Sequence, residues 1–336
     1  MIQKTALVCG AGGFIGYHLV KRYKEEGYWV RGVDIRYPEF GTTLADEFII
    51  ADLRYPDKAK RAVSLKEKSL TACFDEVCQL AANMGGIGFI SQDHSAEILH
   101  DSAMINLCVL DECRKRRVKK ILYTSSACIY PLRNQMDPAH PQCSETSAYP
   151  ADPDTAHGWE TLFGEQLYLS YIKDYNMDIR IVRLHNVFGP MGPWRGGREK
   201  APAALCRKIA EAPEGGSIQL WGKGDQTRSF LDIDECIEGL RRIMLANKTL
   251  PILNLGSDKT ITINNLALLI ARISGKQIEL QQVPGPRGVR GRTSDNTLIL
   301  KELNWQPSQE LEVGLRKLYP WIAEQIKQQF NVKKIP

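Results

Sequence analysis

The sequence lacks the features that would place it in a membrane, a disulfide framework or a nucleic-acid complex. In its 336 residues, no apolar run reaches the roughly 18 residues that a membrane span needs. No signal-peptide pattern precedes the strand-like segment Thr5–Cys9, so we expect a cytoplasmic protein. The nine cysteines contain no Cys-x-x-Cys pair, which indicates reduced thiols and no metal site. The net charge is only +5 and basic residues form no long run, so we expect no nucleic-acid partner.

What the first half does contain is an alternation of short apolar runs with longer amphipathic stretches. The hydrophobic fraction of 43% is typical of a globular protein. Six strands are predicted, at Thr5–Cys9, Trp29–Val33, Glu47–Ile50, Glu76–Leu80, Lys120–Thr124 and Ile179–Leu184. Helical stretches such as Phe14–Glu26 and Ser95–Arg117 separate them, so the pattern predicts an α/β fold with a doubly wound parallel sheet of the Rossmann type.

The second half has a different composition, beginning with a loop rich in Gly, Pro and Trp over residues 189–197. We predict an NAD-binding Rossmann domain over residues 1–185, to which part of 226–262 returns. Residues 186–336 are predicted to form mainly a smaller, interleaved substrate-binding lobe.

Three glycines follow the first strand and open the first helix. The spacing of Gly10, Gly13 and Gly16 allows the backbone beside Phe14 and Ile15 to approach a pyrophosphate at a helix N-terminus. A tight strand–helix turn without a ligand would use the same glycines, so the motif needs support from its surroundings.

That support comes from the ends of the next two strands. Asp34 follows the glycines by about 20 residues, where a carboxylate accepts hydrogen bonds from both ribose hydroxyls. The carboxylate also repels a 2′-phosphate, which favours NAD over NADP, although Arg36 nearby weakens the preference. Asp52 and Leu53 are predicted to contact the adenine.

Several segments resemble the extended short-chain dehydrogenase/reductase family of nucleotide-sugar enzymes. They are Gly10–Gly16, Leu80–Gly86, Ser125–Pro131 and Arg183–Pro190. Three more segments resemble the GDP-mannose 3,5-epimerases within that family, namely Gly196–Ala204, Gln226–Phe230 and Gly288–Arg292. The similarity extends from about Thr5 to Gln328, nearly the whole chain.

The resemblance implies an NAD-dependent epimerase acting on a nucleotide-diphosphate sugar that is GDP-linked. In the family, oxidation at C4 gives a ketone that acidifies the hydrogens on C3 and C5, and an acid/base pair inverts one or both carbons. The hydride then returns. The family's pair is a cysteine and a lysine, which match Cys128 and Lys200.

The residue types suit the reaction, because inversion needs a proton acceptor and a proton donor on opposite faces of the ring. The pKa of a thiol falls near a cation, and the pKa of a lysine falls on burial or near other cations. Arg195 and Arg198 are close to Lys200 in sequence. Without the resemblance, Cys128 would be taken as buried core and Lys200 as a solvated loop residue.

The resemblance also implies substrate contacts. The matching positions are Gly85, Ser125, Ser126, Asn186, Glu199, Lys200, Lys208, Gln226, Arg228 and Arg292. Of these, Lys208 and Arg292 are expected to face the diphosphate, where a guanidinium pairs well with phosphate oxygens. For Arg228 the structural alternative is a salt bridge to Asp232 or Asp234.

Two positions depart from the family. Where it carries Tyr-x-x-x-Lys on a helix, this chain has His157 and Thr161. The tyrosine takes the proton of the C4 hydroxyl, and the lysine lowers the tyrosine pKa and holds the nicotinamide ribose. An imidazole is an adequate base at neutral pH without a lysine, so His157 is our third catalytic candidate. The Thr161 hydroxyl is predicted to contact the cofactor ribose.

Three functions therefore stay open. The protein is an epimerase with His157 as the redox base, or it has lost the hydride step and uses Cys128 and Lys200 on a 4-keto sugar made by a partner. The third alternative is a non-catalytic nucleotide-sugar-binding protein, against which the intact cysteine and lysine argue.

The resemblance also implies a homodimer formed through two helices, over about 95–117 and 156–171. Apolar residues at helical spacing there are Ile98, Ile105, Leu162 and Leu169. Packing inside one chain would produce the same pattern.

Overall fold

The computed structural model describes residues 3–65, 73–90, 94–286 and 288–332. Six strands lie in its first half: β1 (Thr5–Cys9), β2 (Trp29–Asp34), β3 (Glu47–Ile50), β4 (Glu76–Gln79), β5 (Lys120–Ser126) and β6 (Ile179–Leu184). Eight more strands follow: β7 (Val187–Phe188), β8 (Ser217–Trp221), β9 (Thr227–Ser229), β10 (Leu231–Asp232), β11 (Leu253–Leu255), β12 (Thr260–Thr262), β13 (Glu279–Val283) and β14 (Gly291–Arg292).

The described part of the chain also contains α-helices and three short 3₁₀ turns. The helices are α1 (Phe14–Glu25), α2 (Pro56–Val63), α3 (Ile87–Ile90), α4 (Ser95–Lys115), α5 (Ala156–Tyr175), α6 (Ala201–Glu211), α7 (Ile233–Leu245), α8 (Ile263–Ser274), α9 (Thr297–Leu303) and α10 (Leu311–Val332). The turns are Ala127–Ile129, Leu132–Gln135 and Glu145–Ala148.

Seven strands form one sheet in the order β11-β6-β5-β4-β1-β2-β3, and all of its pairs are parallel. The predicted doubly wound Rossmann sheet is therefore confirmed. The chain runs outward in both directions from β1 and β4, and ligands of such sheets bind at the carboxyl ends of the strands at this switch point.

Helices cover both faces of the sheet because side chains alternate along each strand. Ala6 and Val8 of β1 pack in the core that includes Leu19 of α1 and Leu240 of α7. Leu7 and Cys9 pack in the opposite core, with residues of α2, α4 and α5.

The second half of the chain is interleaved with the first. β11 pairs with β6, and α7 packs in the first core, so these two elements return to the sheet. Ile299 of α9 lies in the same core, which extends the return beyond the predicted range. The smaller lobe has its own core, in which Leu205 of α6, Ile270 of α8 and Leu318 of α10 are buried.

Short strand pairs join the lobe to the site. β9 pairs with antiparallel β12 and with parallel β14, which places Arg228 opposite Arg292. β8 pairs with β13, and β7 pairs with β10.

Candidate active site

The loop between β1 and α1 is shaped by its glycines. Gly10 has a φ of +84°, and a Cβ at Gly16 would lie only 2.0 Å from the carbonyl oxygen of Gly10. Gly13 caps α1 without a side-chain hydrogen bond. The first N–H groups of the helix, at Phe14 and Ile15, therefore point out of the helix end, where a phosphate binds.

Asp34, at the end of β2, faces this loop. Its Oδ2 accepts a hydrogen bond from the Gly12 N–H at 2.9 Å, and its Oδ1 accepts one from the Arg36 N–H at 3.3 Å. Burial raises the pKa of the Asp34 carboxyl, and the two N–H groups oppose that effect. The Arg36 side chain is exposed. A glycine cradle at a helix N-terminus with a carboxylate beside it fits the pyrophosphate and ribose of NAD.

The predicted adenine contacts lie after β3. Arg54 holds the Asp52 carboxylate, with Nη2 at 2.6 Å from Oδ2, and also donates to Asp101. The Leu53 side chain is buried in the core, so only its backbone is available to an adenine. Both contacts stay predictions.

A cavity of about 280 Å³ opens beside the carboxyl end of β5, and both halves of the chain line it. The predicted site residues that line it are Gly85, Ser126, Cys128, Asn186, Glu199, Lys200, Lys208, Gln226, Arg228 and Arg292. Ser125 is not part of this lining, because it is buried and its hydroxyl donates to Glu165 at 2.6 Å.

Cys128 lies on the first 3₁₀ turn, directly after β5. Its backbone N–H donates to the Ser126 hydroxyl at 3.2 Å, and the Arg292 Nη1 lies 3.2 Å from its sulfur. Burial alone would raise the pKa of the thiol, but the positive charge of Arg292, the His157 ring and the Ser126 hydroxyl lower it below its ordinary value. The site thus raises the fraction of thiolate, the form that accepts a proton.

Two guanidinium groups lie side by side in this wall. The neighbouring strands β9 and β14 place Arg228 next to Arg292, and burial together with the charge of Arg292 lowers the pKa of Arg228 to about 10. Arg228 donates to the carbonyl of Val289, whereas Asp232 and Asp234 pair with Lys317. The structural alternative for Arg228 was therefore wrong. Arg292 contacts the Cys128 sulfur, so the diphosphate contact expected of Arg292 stays a prediction.

Lys200 precedes α6 and reaches the same cavity. Burial lowers the pKa of its ammonium group, the charge of Arg292 adds to that effect, and Cys128 opposes it. The expectation that arginines nearby in sequence perturb Lys200 was wrong, because they are engaged elsewhere. Arg195 lies 3.8 Å from Glu39, and Arg198 donates to the carbonyl of Met84 at 2.8 Å.

His157 lies in the first turn of α5, which packs against the Cys128 turn. A Cβ at Gly158 would come within 2.2 Å of the Cys128 carbonyl oxygen, so the glycine permits this approach. The His157 side chain is buried, and its Nδ1 lies 3.6 Å from Oε2 of Glu160. Within the described residues, neither ring nitrogen has a hydrogen-bond partner.

Thr161 lies one turn further along α5 and is also buried. Its hydroxyl donates to the carbonyl oxygen of His157 at 2.8 Å. Because the proton of the hydroxyl is used inside the helix, only an oxygen lone pair is left for a cofactor, and the ribose contact stays a prediction.

Two residues of the cavity carry no signal in the sequence. Asp154 lies 3.8 Å from a terminal nitrogen of Arg292, and Trp221 has the Lys208 ammonium 5.9 Å from its ring centroid. Only the fold brings them to the cavity. Gln226, by contrast, was predicted, and its buried Oε1 has no partner among the described residues. It can accept a hydrogen bond from a sugar hydroxyl.

Two further properties of the described ranges concern metal binding and membrane insertion. No group of three or more His, Cys, Asp and Glu side chains there is placed to hold a metal ion. No helix there combines the length and the hydropathy needed to cross a bilayer.

Known proteins resemble this chain over nearly its full length. The model of the NAD dependent epimerase/dehydratase family matches residues 6–256. GDP-mannose 3,5-epimerase 1 of Oryza sativa subsp. indica is 42% identical over 324 residues, which cover 96% of this chain and 82% of the relative. GDP-mannose 3,5-epimerase of Arabidopsis thaliana is 41% identical over 324 residues, with 96% and 83% covered.

Solved structures share the fold. UDP-glucose 4-epimerase of Thermotoga maritima with UDP-glucose has a TM-score of 0.82 at 23% identity, covering 96% of this chain and 99% of its own. UDP-glucuronic acid 4-epimerase of Bacillus cereus with UDP-glucuronic acid and NAD has a TM-score of 0.78 at 24% identity, covering 96% and 99%. With the family match, these findings show that the chain belongs to the NAD dependent epimerase/dehydratase family, as a homologue of the GDP-mannose 3,5-epimerases.

Proposed function

We propose that this protein epimerises a GDP-linked sugar at C3, C5 or both, through a 4-keto intermediate. The observation that carries the proposal is the convergence of Cys128 and Lys200 on one cavity, with Arg292 against the sulfur. The pKa values of both groups are shifted toward neutrality, which is the direction that proton transfer at physiological pH requires. The likeness to GDP-mannose 3,5-epimerases supports the choice of sugar and base.

When bound, NAD accepts the C4 hydride and gives it back at the end of the cycle. The resulting C4 ketone makes the hydrogens on C3 and C5 acidic. One member of the Cys128/Lys200 pair takes a proton from the ring carbon, and the other gives a proton to the opposite face. After each inversion the group that acted as the base carries a proton and the group that acted as the acid has lost one. Proton exchange with water restores both groups.

His157 is proposed to take the proton of the C4 hydroxyl as the hydride leaves, and to return it when the ketone is reduced. The buried ring has no hydrogen-bond partner within the described residues, so neither nitrogen is committed to another protein group. His157 does not line the cavity, but it follows the lining residue Thr155 by two positions, and its helix packs against the Cys128 turn.

A second candidate function follows from Thr161. Because its hydroxyl donates within the helix and carries no charge, the ribose-holding role of the family's lysine has no evident substitute at that position. In this case the protein would process a 4-keto sugar nucleotide made by a partner enzyme. A purely binding protein would have no use for a thiol whose pKa is lowered.

Deuterium incorporation separates these functions. The protein is incubated with GDP-mannose and NAD in deuterated water, and the sugar is analysed by mass spectrometry and NMR. We expect deuterium at C3, C5 or both. Exchange only on a supplied 4-keto sugar nucleotide would support the second function, and exchange on neither, despite NAD binding, would leave a binding protein.

Variants assign the roles in the same assay. Cys128→Ser and Lys200→Met should each abolish inversion on both sugars, since inversion needs both members of the acid/base pair. His157→Ala should abolish exchange on GDP-mannose but keep exchange on the 4-keto sugar. Full turnover of GDP-mannose by His157→Ala would remove His157 from the mechanism.

We further propose a homodimer formed through α4 and α5. Three of the four apolar residues expected at this interface belong to the interior instead: Ile98 and Leu162 are buried, and Ile105 packs on a core. Only Leu169 is exposed.

A different apolar stripe supports the dimer. Trp159 and Phe163 lie four residues apart on α5 and are 48% and 46% exposed, and Leu99 and Leu107 of α4 are exposed as well. Phe163→Glu should convert a dimer to a monomer in light scattering, whereas Leu268→Glu, at an exposed position on α8, should not. A monomeric wild type would contradict the proposal.

A cytoplasmic location is also proposed, supported by the nine free cysteines.

A further inference from the structure

A buried carboxylate, that of Glu160, lies one turn after His157 on α5. We propose that Glu160 is a positioning residue that fixes the tautomer of the His157 ring and stabilises its protonated form during the hydride step. This inference rests on the proposed function, in which His157 is the base for the C4 hydroxyl.

The geometry begins with the helix. Glu160 follows His157 by three residues, so both side chains lie on one face of α5. Glu160 Oε2 and His157 Nδ1 are 3.6 Å apart, and the two side chains are 2% and 4% exposed. Apart from this contact, neither atom has a polar partner in the described part of the chain. A small rotation of either side chain shortens the distance to a hydrogen bond, as commonly happens when a substrate binds.

The other oxygen of the carboxylate is anchored by a neighbouring helix. Asn106 of α4 donates through Nδ2 to Glu160 Oε1 at 3.2 Å. The orientation of the Asn106 amide is itself fixed, because its Oδ1 accepts from Gln79 at 3.0 Å and from the Tyr168 hydroxyl at 3.3 Å. The network therefore leaves Oε2 of Glu160 facing the imidazole.

A buried carboxylate oxygen without a donor is costly, and the imidazole N–H is the group placed to supply one. If Nδ1 carries the proton and donates it to Glu160, then Nε2 has a free lone pair. The ring is then held as a proton acceptor for the C4 hydroxyl. This is the logic by which a carboxylate orients a catalytic histidine in other enzymes.

The signs of the charges explain why two family positions change together. A tyrosine acts as a base in its anionic form, which a neighbouring lysine cation stabilises. A histidine acts as a base in its neutral form and becomes cationic, so a lysine at position 161 would repel the product of the proton transfer. Here position 161 holds the neutral Thr161, and the charge beside the ring is the anion of Glu160. The charge beside the base is therefore negative here and positive in the family, as each type of base requires.

The test uses the full-length protein with NAD bound and two independent readouts. The first is the ¹⁵N NMR signature of the His157 ring, assigned by its loss in His157→Ala. The second is the rate of bound NADH formation from GDP-mannose, followed by absorbance. The variant is Glu160→Gln, which keeps the shape of the side chain and removes its charge. The matched control is Glu112→Gln on α4, where a buried glutamate pairs with Lys115 far from the ring network.

We expect Nδ1 of His157 to be protonated in the wild type and in Glu112→Gln, and the tautomer to change in Glu160→Gln. NADH formation should fall at least about tenfold in Glu160→Gln, with deuterium exchange on a supplied 4-keto sugar kept within about twofold of wild type. That split shows that the fold and the proton-exchange pair are intact.

The outcomes distinguish this inference from the proposed function. A wild-type ring protonated at Nε2, or Glu160→Gln with an unchanged tautomer and rate, would overturn the role of Glu160. If the wild type forms no NADH but the tautomer depends on Glu160, the hydride step fails as a function while the positioning contact stands.

Discussion

Replacing Arg292 tests the electrostatics of the proton-exchange pair most sharply. The Arg292 Nη1 lies 3.2 Å from the Cys128 sulfur, and both side chains are buried. At this distance, with an effective dielectric constant of about 20, the attraction between thiolate and guanidinium is about 5 kcal/mol. Because about 1.4 kcal/mol changes an equilibrium tenfold, even a quarter of that attraction alters the thiolate fraction tenfold. Arg292→Met should therefore slow alkylation of Cys128 by iodoacetamide at pH 7 at least about tenfold.

Seven of the eight other cysteines should interfere little with this measurement, and the partly exposed Cys73 is told apart from Cys128 by the Cys128→Ser variant. Burial raises the pKa of seven cysteines, so they react slowly: Cys9, Cys78, Cys108, Cys113, Cys143, Cys206 and Cys236. The fast phase of alkylation should disappear in Cys128→Ser, which identifies it. Its rate should rise with pH through a pKa below the ordinary thiol value, since the thiolate is the reactive form.

A variant of opposite sign controls for damage to the fold. Asp154 raises the pKa of the Cys128 thiol, so Asp154→Asn should speed alkylation. Arg292→Lys, which keeps the charge, should lie between the wild type and Arg292→Met. The assignment of the lowered Cys128 pKa to these charges would be refuted if Cys128 in Arg292→Met were alkylated at the wild-type rate. It would also be refuted if Cys128 in Asp154→Asn were alkylated more slowly than in the wild type.

Three other predictions concern the cofactor, the loops and acid stability. Asp34→Asn should weaken NAD binding about tenfold in a fluorescence titration, because an acceptor for the ribose hydroxyls is lost. The preference for NAD over NADP should also become smaller, because the charge that repels the 2′-phosphate is lost. Unchanged binding would contradict the role of Asp34. Arg198 lies 3.8 Å from the Phe89 ring centroid and donates to the Met84 carbonyl. Arg198→Ala should therefore raise KM for the sugar nucleotide about tenfold with kcat little changed. An unchanged KM would argue against a role of these contacts in substrate binding. Burial lowers the pKa of His185 to about 3, so native stability falls as pH drops from about 6.5 toward 3. In urea unfolding, His185→Leu should lose about 3 kcal/mol less than wild type between pH 7 and pH 4, and equal losses would contradict this.

The sheet could be predicted from the sequence because parallel strands buried on both faces read as short apolar runs between helices. Thr5–Cys9 and Ile179–Leu184 match the structure residue for residue. The interleaving was harder to predict. The returning strand Leu253–Leu255 has only three residues, and Ile299 reaches the core from a seven-residue helix, too short for a clear periodicity.

The site, like the fold, could be predicted from the sequence only in part. Cys128 and Lys200 were identified because their flanking segments resemble a family, and the structure places both in one cavity. The cation that perturbs them could not be identified from sequence proximity. Arg292 is 164 positions from Cys128 and reaches it only through the pairing of β14 with β9. Asp154 was missed for the same reason.

The interface prediction shows how a helical repeat can mislead. Ile98 and Leu162 have the spacing of an apolar face, and that face packs inward. The exposed stripe of Trp159 and Phe163 follows the same period on another side of the helix. Periodicity alone does not say which apolar face meets solvent when a helix has two.

The central claim is that the proton-exchange pair and the hydride step both operate in this chain. Starting from GDP-mannose alone with catalytic NAD in deuterated water, C3 or C5 can gain deuterium only if C4 is first oxidised. We predict deuterium there in the inverted wild-type product, and no inverted product with Cys128→Ser, Lys200→Met or His157→Ala. Protein that binds NAD but leaves the carbon-bound hydrogens of GDP-mannose unexchanged would contradict the claim.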